Sequence, residues 1–222
     1  MKIDILTLFP NMFEGFLNES IIKRAIKNKI VTINIIDFRT YANPPHYKVD
    51  DYQYGGGKGM VLMIEPIYKC LKDIKKENTK IILMTPQGKT YNQKIAYQLK
   101  NEKHIILICG HYEGFDERIR SLVDMEISIG DFVLTGGELP SMVITDSIVR
   151  LIDSVIQEES HINDSFNNNL LDYPVYTRPD EFEGMKVPDV LLSGHHLNIE
   201  KWKQEQALLK TKEKRPDLLE KS

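Results

Sequence analysis

Glu113 stands between two glycines in Gly110-His-Tyr-Glu-Gly-Phe-Asp-Glu-Arg118, directly after an apolar run at 104–109. A carboxylate in that setting is poorly explained as a core or helix residue and suits a group that meets a ligand. His111 beside it can titrate, although a single histidine is more often a satisfied side chain than a catalyst. Asp116, Glu117 and Arg118 have a structural account as a helix N-terminus that obeys the macrodipole. Further on, Ser128-Ile-Gly-Asp-Phe-Val-Leu-Thr-Gly-Gly-Glu-Leu-Pro140 sets Ile129, Phe132, Val133 and Leu134 beside bare backbone. A flat heterocycle whose edge bonds main-chain groups would fit there; a hairpin-like turn at Gly136-Gly137 is the alternative. Five of the chain's 13 glycines fall in residues 109–140. Each loses more conformational freedom on folding than any other residue, so such a cluster points to close backbone approach.

Three other places carry candidate chemistry. The turn Tyr54-Gly-Gly-Gly-Lys-Gly-Met60 follows Asp50-Asp51. It is no Walker A loop, because Gly59 follows Lys58 where Ser or Thr is required. Its N–H groups and Lys58 could hold a phosphate, or it is simply a flexible loop. Thr85-Pro-Gln-Gly88 follows an apolar run, and a strand ending in a proline turn is its ordinary local account; its interest is position, since ligands bind at the carboxyl ends of strands in open α/β sheets. Arg150, Asp164 and Asp172 have bland local accounts: a surface ion pair with Asp146 or Asp153 for the first, and a turn or cap for Asp164.

The elements that would position these groups are short apolar runs at 3–9, 31–36, 80–85 and 104–109, with a shorter one at 125–129. Amphipathic stretches near 12–28, 64–77 and 91–101 alternate with them, which predicts an α/β domain with a largely parallel sheet. Pro140 is read as the first residue of a helix whose apolar face, Ile144, Ile148, Leu151, Ile152 and Val155, carries it to about Gln157. A polar, asparagine-rich stretch follows, and a connection of that length is usually functional or mobile. The division is therefore a domain over 1–157, a flexible linker over 158–172 and a small, mainly helical domain over 173–222. That last part ends in a basic helix with Ile199, Trp202 and Leu209 at helical spacing, and its core is thin for a free-standing unit.

Composition narrows the classes. No apolar run reaches the length of a membrane span, and the N-terminal apolar run is too short for a signal peptide. Two cysteines, Cys70 and Cys109, in an α/β pattern point to a reducing cytoplasm, and neither has zinc-ligand spacing. The net charge of −3 hides a segregation: residues 1–109 hold 17 basic and 10 acidic side chains, residues 110–183 hold 4 and 16, and residues 184–222 hold 8 and 6. Any basic footprint for nucleic acid must come from the first half and the tail.

Taken in order, LFPNMF, VDDYQYGGGKGM, TPQG, CGHYEGFDERI, SIGDFVLTGGELP, DSF, LLDYP, YTRP, SGHH and RPDLL resemble the bacterial tRNA (guanine-N1-)-methyltransferase family over essentially the whole chain. That family belongs to the SPOUT class of S-adenosylmethionine enzymes. The resemblance implies a deep trefoil knot, which periodicity alone does not suggest because true knots are nearly absent from proteins. It implies S-adenosylmethionine held by Leu83, Thr85, Pro86, Gly110, Glu113, Gly114, Ile129, Gly130, Asp131, Phe132, Val133, Leu134, Gly136, Gly137 and Pro140. The implied reaction is methylation of N1 of the guanine just 3′ of the anticodon. N1 must lose its proton, so a positioned base is needed; Asp164 matches that base, and Arg150 matches the group that either stabilises charge on the guanine O6 or orients the cofactor. Asp50, Lys58, Asp172, Arg178 and His195 fall at positions implied to meet tRNA, and Glu113 at one linked to magnesium. The family implies a cytoplasmic homodimer with its active site at the interface, and no membrane or DNA partner. A SPOUT enzyme acting on ribosomal RNA or on a ribose oxygen, and a noncatalytic RNA-binding protein, are the rival readings.

Overall fold

The computed structural model describes residues 1–156 and 164–220. Two compact units divide the chain, Met1–Ile156 and Gln157–Ser222.

The first unit is built on a five-stranded sheet formed by β1 (Lys2–Thr7), β2 (Thr32–Asp37), β5 (Thr79–Thr90), β6 (His104–Ile108) and β7 (Met125–Ser128), in the order β2-β1-β6-β5-β7. Every neighbouring pair is parallel. The two-residue strands β3 (Asp50–Asp51) and β4 (Val61–Leu62) form a separate antiparallel pair. Central strands of a covered parallel sheet face apolar groups on both sides and so read as unbroken apolar runs. HIILI in β6 is such a run, and all five of its residues are buried. Ile105 and Leu107 join the core beneath α2 (Ser20–Lys27), α4 (Gln93–Leu99) and α5 (Glu138–Val149), while Ile106 and Ile108 join the core shared with α3 (Ile64–Ile74). One strand thus serves both layers.

The amphipathic stretch expected near 12–28 is broken into a 3-10 turn (Pro10–Phe13), the single-turn α1 (Glu14–Leu17) and α2. Glu19, in extended backbone, separates the last two. Asn92 caps α4 by accepting from the Ile95 N–H at 3.1 Å, the usual way a side chain satisfies an orphan donor at a helix start.

Helix α5 differs from its expected limits at both ends. It starts at Glu138, two residues before Pro140, because the whole first turn lacks intrahelical acceptors for its N–H groups and a proline within it costs little. It ends at Val149, after which Leu151 and Ile152 bond back to Ile148 and Val149 in tighter 3-10 fashion. Leu151 is nonetheless fully buried, and Ile152 and Val155 pack on the same core. Their apolar spacing recorded burial and not a continuing helix.

The second unit holds a hairpin, β8 (Glu181–Phe182) with β9 (Met185–Lys186), then α6 (Asp189–Leu192) and the 19-residue α7 (His196–Lys214). Among its described residues only Ala207 and Thr211 are buried. The Thr211 hydroxyl donates to the Ala207 carbonyl and accepts from the Leu171 N–H, tying the incoming chain to α7.

Candidate functional site

β6, β5 and β7 are neighbours in the sheet and parallel, so the loops after β6 and β7 leave on the same side as the outer half of β5. Together they enclose a cleft of about 410 Å3. Thr85 and Pro86 line it from β5; Gly110, Glu113 and Gly114 from the loop after β6; Ile129, Gly130, Phe132, Val133, Leu134, Gly136, Gly137 and Pro140 from the stretch after β7. Two residues of the expected cofactor set lie elsewhere. Leu83 is fully buried within β5, and Asp131 is not part of the lining. Phe132, Val133 and Leu134 are 54%, 83% and 37% exposed, leaving an apolar wall open to a ligand.

The wall from β5 is a bulge. Met84 and Lys89 both pair with Ile127 of β7, so residues 85–88 are thrown out of the ladder between them. An extra segment of this kind re-aims side chains and is common beside functional sites. The loops after β6 and β7 meet backbone to backbone: the Gly137 N–H donates to the Gly110 carbonyl at 2.9 Å, and a Cβ on Gly137 would stand 2.7 Å from the Cys109 Cα. No side chain fits that crossing.

Directly behind it lies a polar group that the sequence does not single out. Glu138 is 1% exposed; its Oε1 accepts from the Thr7 hydroxyl at 2.6 Å, and its Oε2 is 2.7 Å from His111 Nε2. An ionised carboxylate only accepts hydrogen bonds, so Nε2 carries the hydrogen. The Thr7 hydroxyl in turn accepts from the Phe9 N–H, and the Phe9 ring lies 4.5 Å from the His111 ring, centroid to centroid. Thr7 and Glu138 are 131 residues apart in the chain, and no local pattern announces their meeting.

Glu113 is exposed, but its backbone is fixed. Its N–H donates to the Met60 carbonyl, and Leu62 and Asp116 complete the pairing through Gly114 and Leu62 carbonyls. The glycine-rich turn at 54–60 is thereby brought against the cleft loop, a juxtaposition with no local sequence signal. Asp116 does serve as a cap: it accepts from the Arg118 N–H and grips the Arg118 side chain, a bond that holds its carboxyl below the usual range. Burial pushes the Cys70 thiol up to about 12 and raises Cys109 as well, so neither is a ready nucleophile.

The remaining candidates are placed as follows. Asp50 lies in β3, Lys58 is exposed in the glycine turn, and Arg150 closes the C-terminus of α5. In the second unit Ser165 Oγ accepts from the Asp172 N–H at 3.0 Å, closing a loop that begins beside Asp164. Asp172 Oδ1 is buried without a hydrogen-bond partner. Arg178 is exposed, and His195 stands at the start of α7. Residues 158–163 of the expected linker lie outside the described residues. Among the described residues no cluster of three or more His, Cys, Asp or Glu could hold a metal ion. No described helix is long and apolar enough to cross a membrane.

A family model for tRNA (Guanine-1)-methyltransferase TrmD matches residues 1–221. Among individual relatives, the tRNA (guanine-N(1)-)-methyltransferase of Ureaplasma urealyticum serovar 10 is 60% identical over 222 residues, covering 100% of this chain and 97% of that protein. The proteins of the same name from Mycoplasma mycoides subsp. mycoides SC and Staphylococcus haemolyticus are 57% and 58% identical. Each of those alignments covers 99% of this chain, with 92% and 91% of the relative.

Proposed function

This chain belongs to the tRNA (guanine-1)-methyltransferase family, and on that premise we propose that it transfers a methyl group from S-adenosylmethionine to N1 of the guanine immediately 3′ of the tRNA anticodon. The observation that carries the reading is the glycine-walled cleft between the β5 bulge and the loops after β6 and β7. Its apolar side, Ile129, Phe132, Val133 and Leu134, suits the adenine face. The tight crossing of the loops after β6 and β7 favours the trefoil knot of the SPOUT class.

S-adenosylmethionine supplies a methyl group made electrophilic by its sulfonium. The chain's own residues do the rest. Asp164 accepts the N1 proton, because a protonated N1 has no free pair with which to attack. Arg150 offers its guanidinium to the guanine O6, where negative charge gathers as N1 is deprotonated. Asp50, Lys58, Asp172, Arg178 and His195 hold the tRNA, with cationic members on phosphates that position the substrate without reading its sequence. The same reading makes the protein a homodimer, with the active site completed at the interface. Two buried, free thiols suit a reducing cytoplasm.

The test is methyl transfer to two tRNA transcripts that differ only in guanine or adenine 3′ of the anticodon, with the modified atom mapped. Methylation at N1 of the guanine transcript alone is expected; a product on ribose, or equal labelling of both, rejects the assignment. Asp164→Asn is expected to keep S-adenosylmethionine affinity and lose roughly 100-fold or more in turnover. Unchanged turnover would remove Asp164 as the base.

A further inference from the structure

Arg120 has no part in the chemistry above, yet it lines the cleft and fastens three segments around it. It sits in the 3-10 turn Glu117–Leu122 and is half-buried. Nε donates to Glu117 Oε2 at 2.9 Å, Nη2 donates to Gln87 Oε1 at 2.5 Å, and Nη1 pairs with Glu126. Glu117 belongs to the same turn as Arg120, Gln87 to the bulge of β5, and Glu126 to β7.

The bulge needs such a fastening. Its far end is pinned by backbone packing, since a Cβ on Gly88 would lie 2.5 Å from the Glu126 carbonyl carbon. At its tip Pro86 has no N–H to donate, and the Gln87 N–H donates to the Thr85 hydroxyl at a long 3.3 Å. Gln87 is exposed, so its grip on the rest of the protein runs through the side-chain bond to Arg120. A guanidinium is a rigid fork of donors, and the two carboxylates that hold it leave Nη2 aimed at the bulge.

We propose that Arg120 is a positioning residue: through Gln87 it holds the bulge at residues 85–88 in the shape that receives the cofactor, while Glu117 and Glu126 hold the guanidinium itself. The role rests on the assignment of the cleft to S-adenosylmethionine. Its effect falls on cofactor affinity and leaves tRNA recognition alone.

The experiment is calorimetric binding of S-adenosylmethionine and S-adenosylhomocysteine to the full chain and to Gln87→Ala, Arg120→Met, Arg120→Lys and the double variant Gln87→Ala/Arg120→Met. Each of the first two single variants is expected to weaken both ligands about tenfold, the scale of one charge-assisted hydrogen bond. The double variant should be no weaker than the worse single, because both remove the same fastening. Arg120→Lys keeps the charge without the fork and should recover only part. Gln87→Ala should raise KM for S-adenosylmethionine and not KM for tRNA, with an unchanged melting temperature. Wild-type affinity in Gln87→Ala, or single effects that multiply in the double variant, overturns the proposal. If Arg120→Met does not fold, Gln87→Ala and Arg120→Lys decide between the same two results. A wild-type chain that binds neither ligand overturns the cleft assignment and this role with it, whereas normal wild-type binding with unaffected variants overturns the role alone.

Discussion

At the scale of single residues, the Glu138 carboxylate is a buried charge with two partners drawn from distant parts of the chain, Thr7 and His111. A charge removed from water is tolerated when hydrogen bonds replace its hydration, and removal of the carboxylate leaves the partners unsatisfied. Glu138→Ala is therefore expected to lower unfolding free energy by about 2–3 kcal/mol, measured by urea denaturation. Loss of the His111 anchor should also loosen the cleft wall that His111 lines. A variant as stable as the parent would show that Thr7 and His111 find water or other partners. Arg118, by contrast, grips Asp116 on the surface, where a comparable pair is worth little.

At the scale of elements, the start of α5 is pressed so closely on the end of β6 that its first contact is backbone on backbone. Gly137→Ala would place a methyl group against the Cys109 Cα, and neither side can yield by a rotamer change. The expected result is at least about tenfold weaker S-adenosylmethionine binding and a lower melting temperature, since overpacking costs about 1–3 kcal/mol. Normal affinity in calorimetry would mean that α5 shifts at no cost to the cleft. The strands were legible in the sequence because burial on both faces writes itself as runs such as HIILI. The glycine-rich loops were legible as candidate ligand loops because glycine is costly where it has no backbone task. The limits of α5 were not, since Leu151, Ile152 and Val155 are apolar for packing beyond the helix end. Nor were the meeting of Glu113 with Met60 and that of Glu138 with Thr7, because long-range contacts between loops leave no period to read.

At the scale of the whole molecule, the sheet carries the cleft at one end of its strands and a stabilising network at the other. Asp4, fully buried, accepts from Lys2 and Asn34 and bonds His104, whose other ring nitrogen meets Thr79. Burial pushes the Asp4 carboxyl up, but the bonds from Lys2, Asn34 and His104 outweigh it, and its pKa lies below the ordinary value. A carboxyl depressed by folding stabilises the native state above its unfolded pKa of about 3.9, and that stabilisation is lost as pH falls through the folded value. Asp4→Asn should thus cost about 3–5 kcal/mol at pH 7, and its deficit against wild type should shrink below about pH 4 in urea titrations. A deficit constant from pH 7 to pH 3 would place the effect in packing. At the cleft, the two ends of the β5 bulge are anchored on the same residue of β7. A residue added to or removed from 85–88 therefore leaves the strand register untouched, as lengthening a handle leaves its two bolts in place. The depth of the pocket can be altered by loop length alone, which makes this segment a natural place to graft a different cofactor preference onto an unchanged sheet.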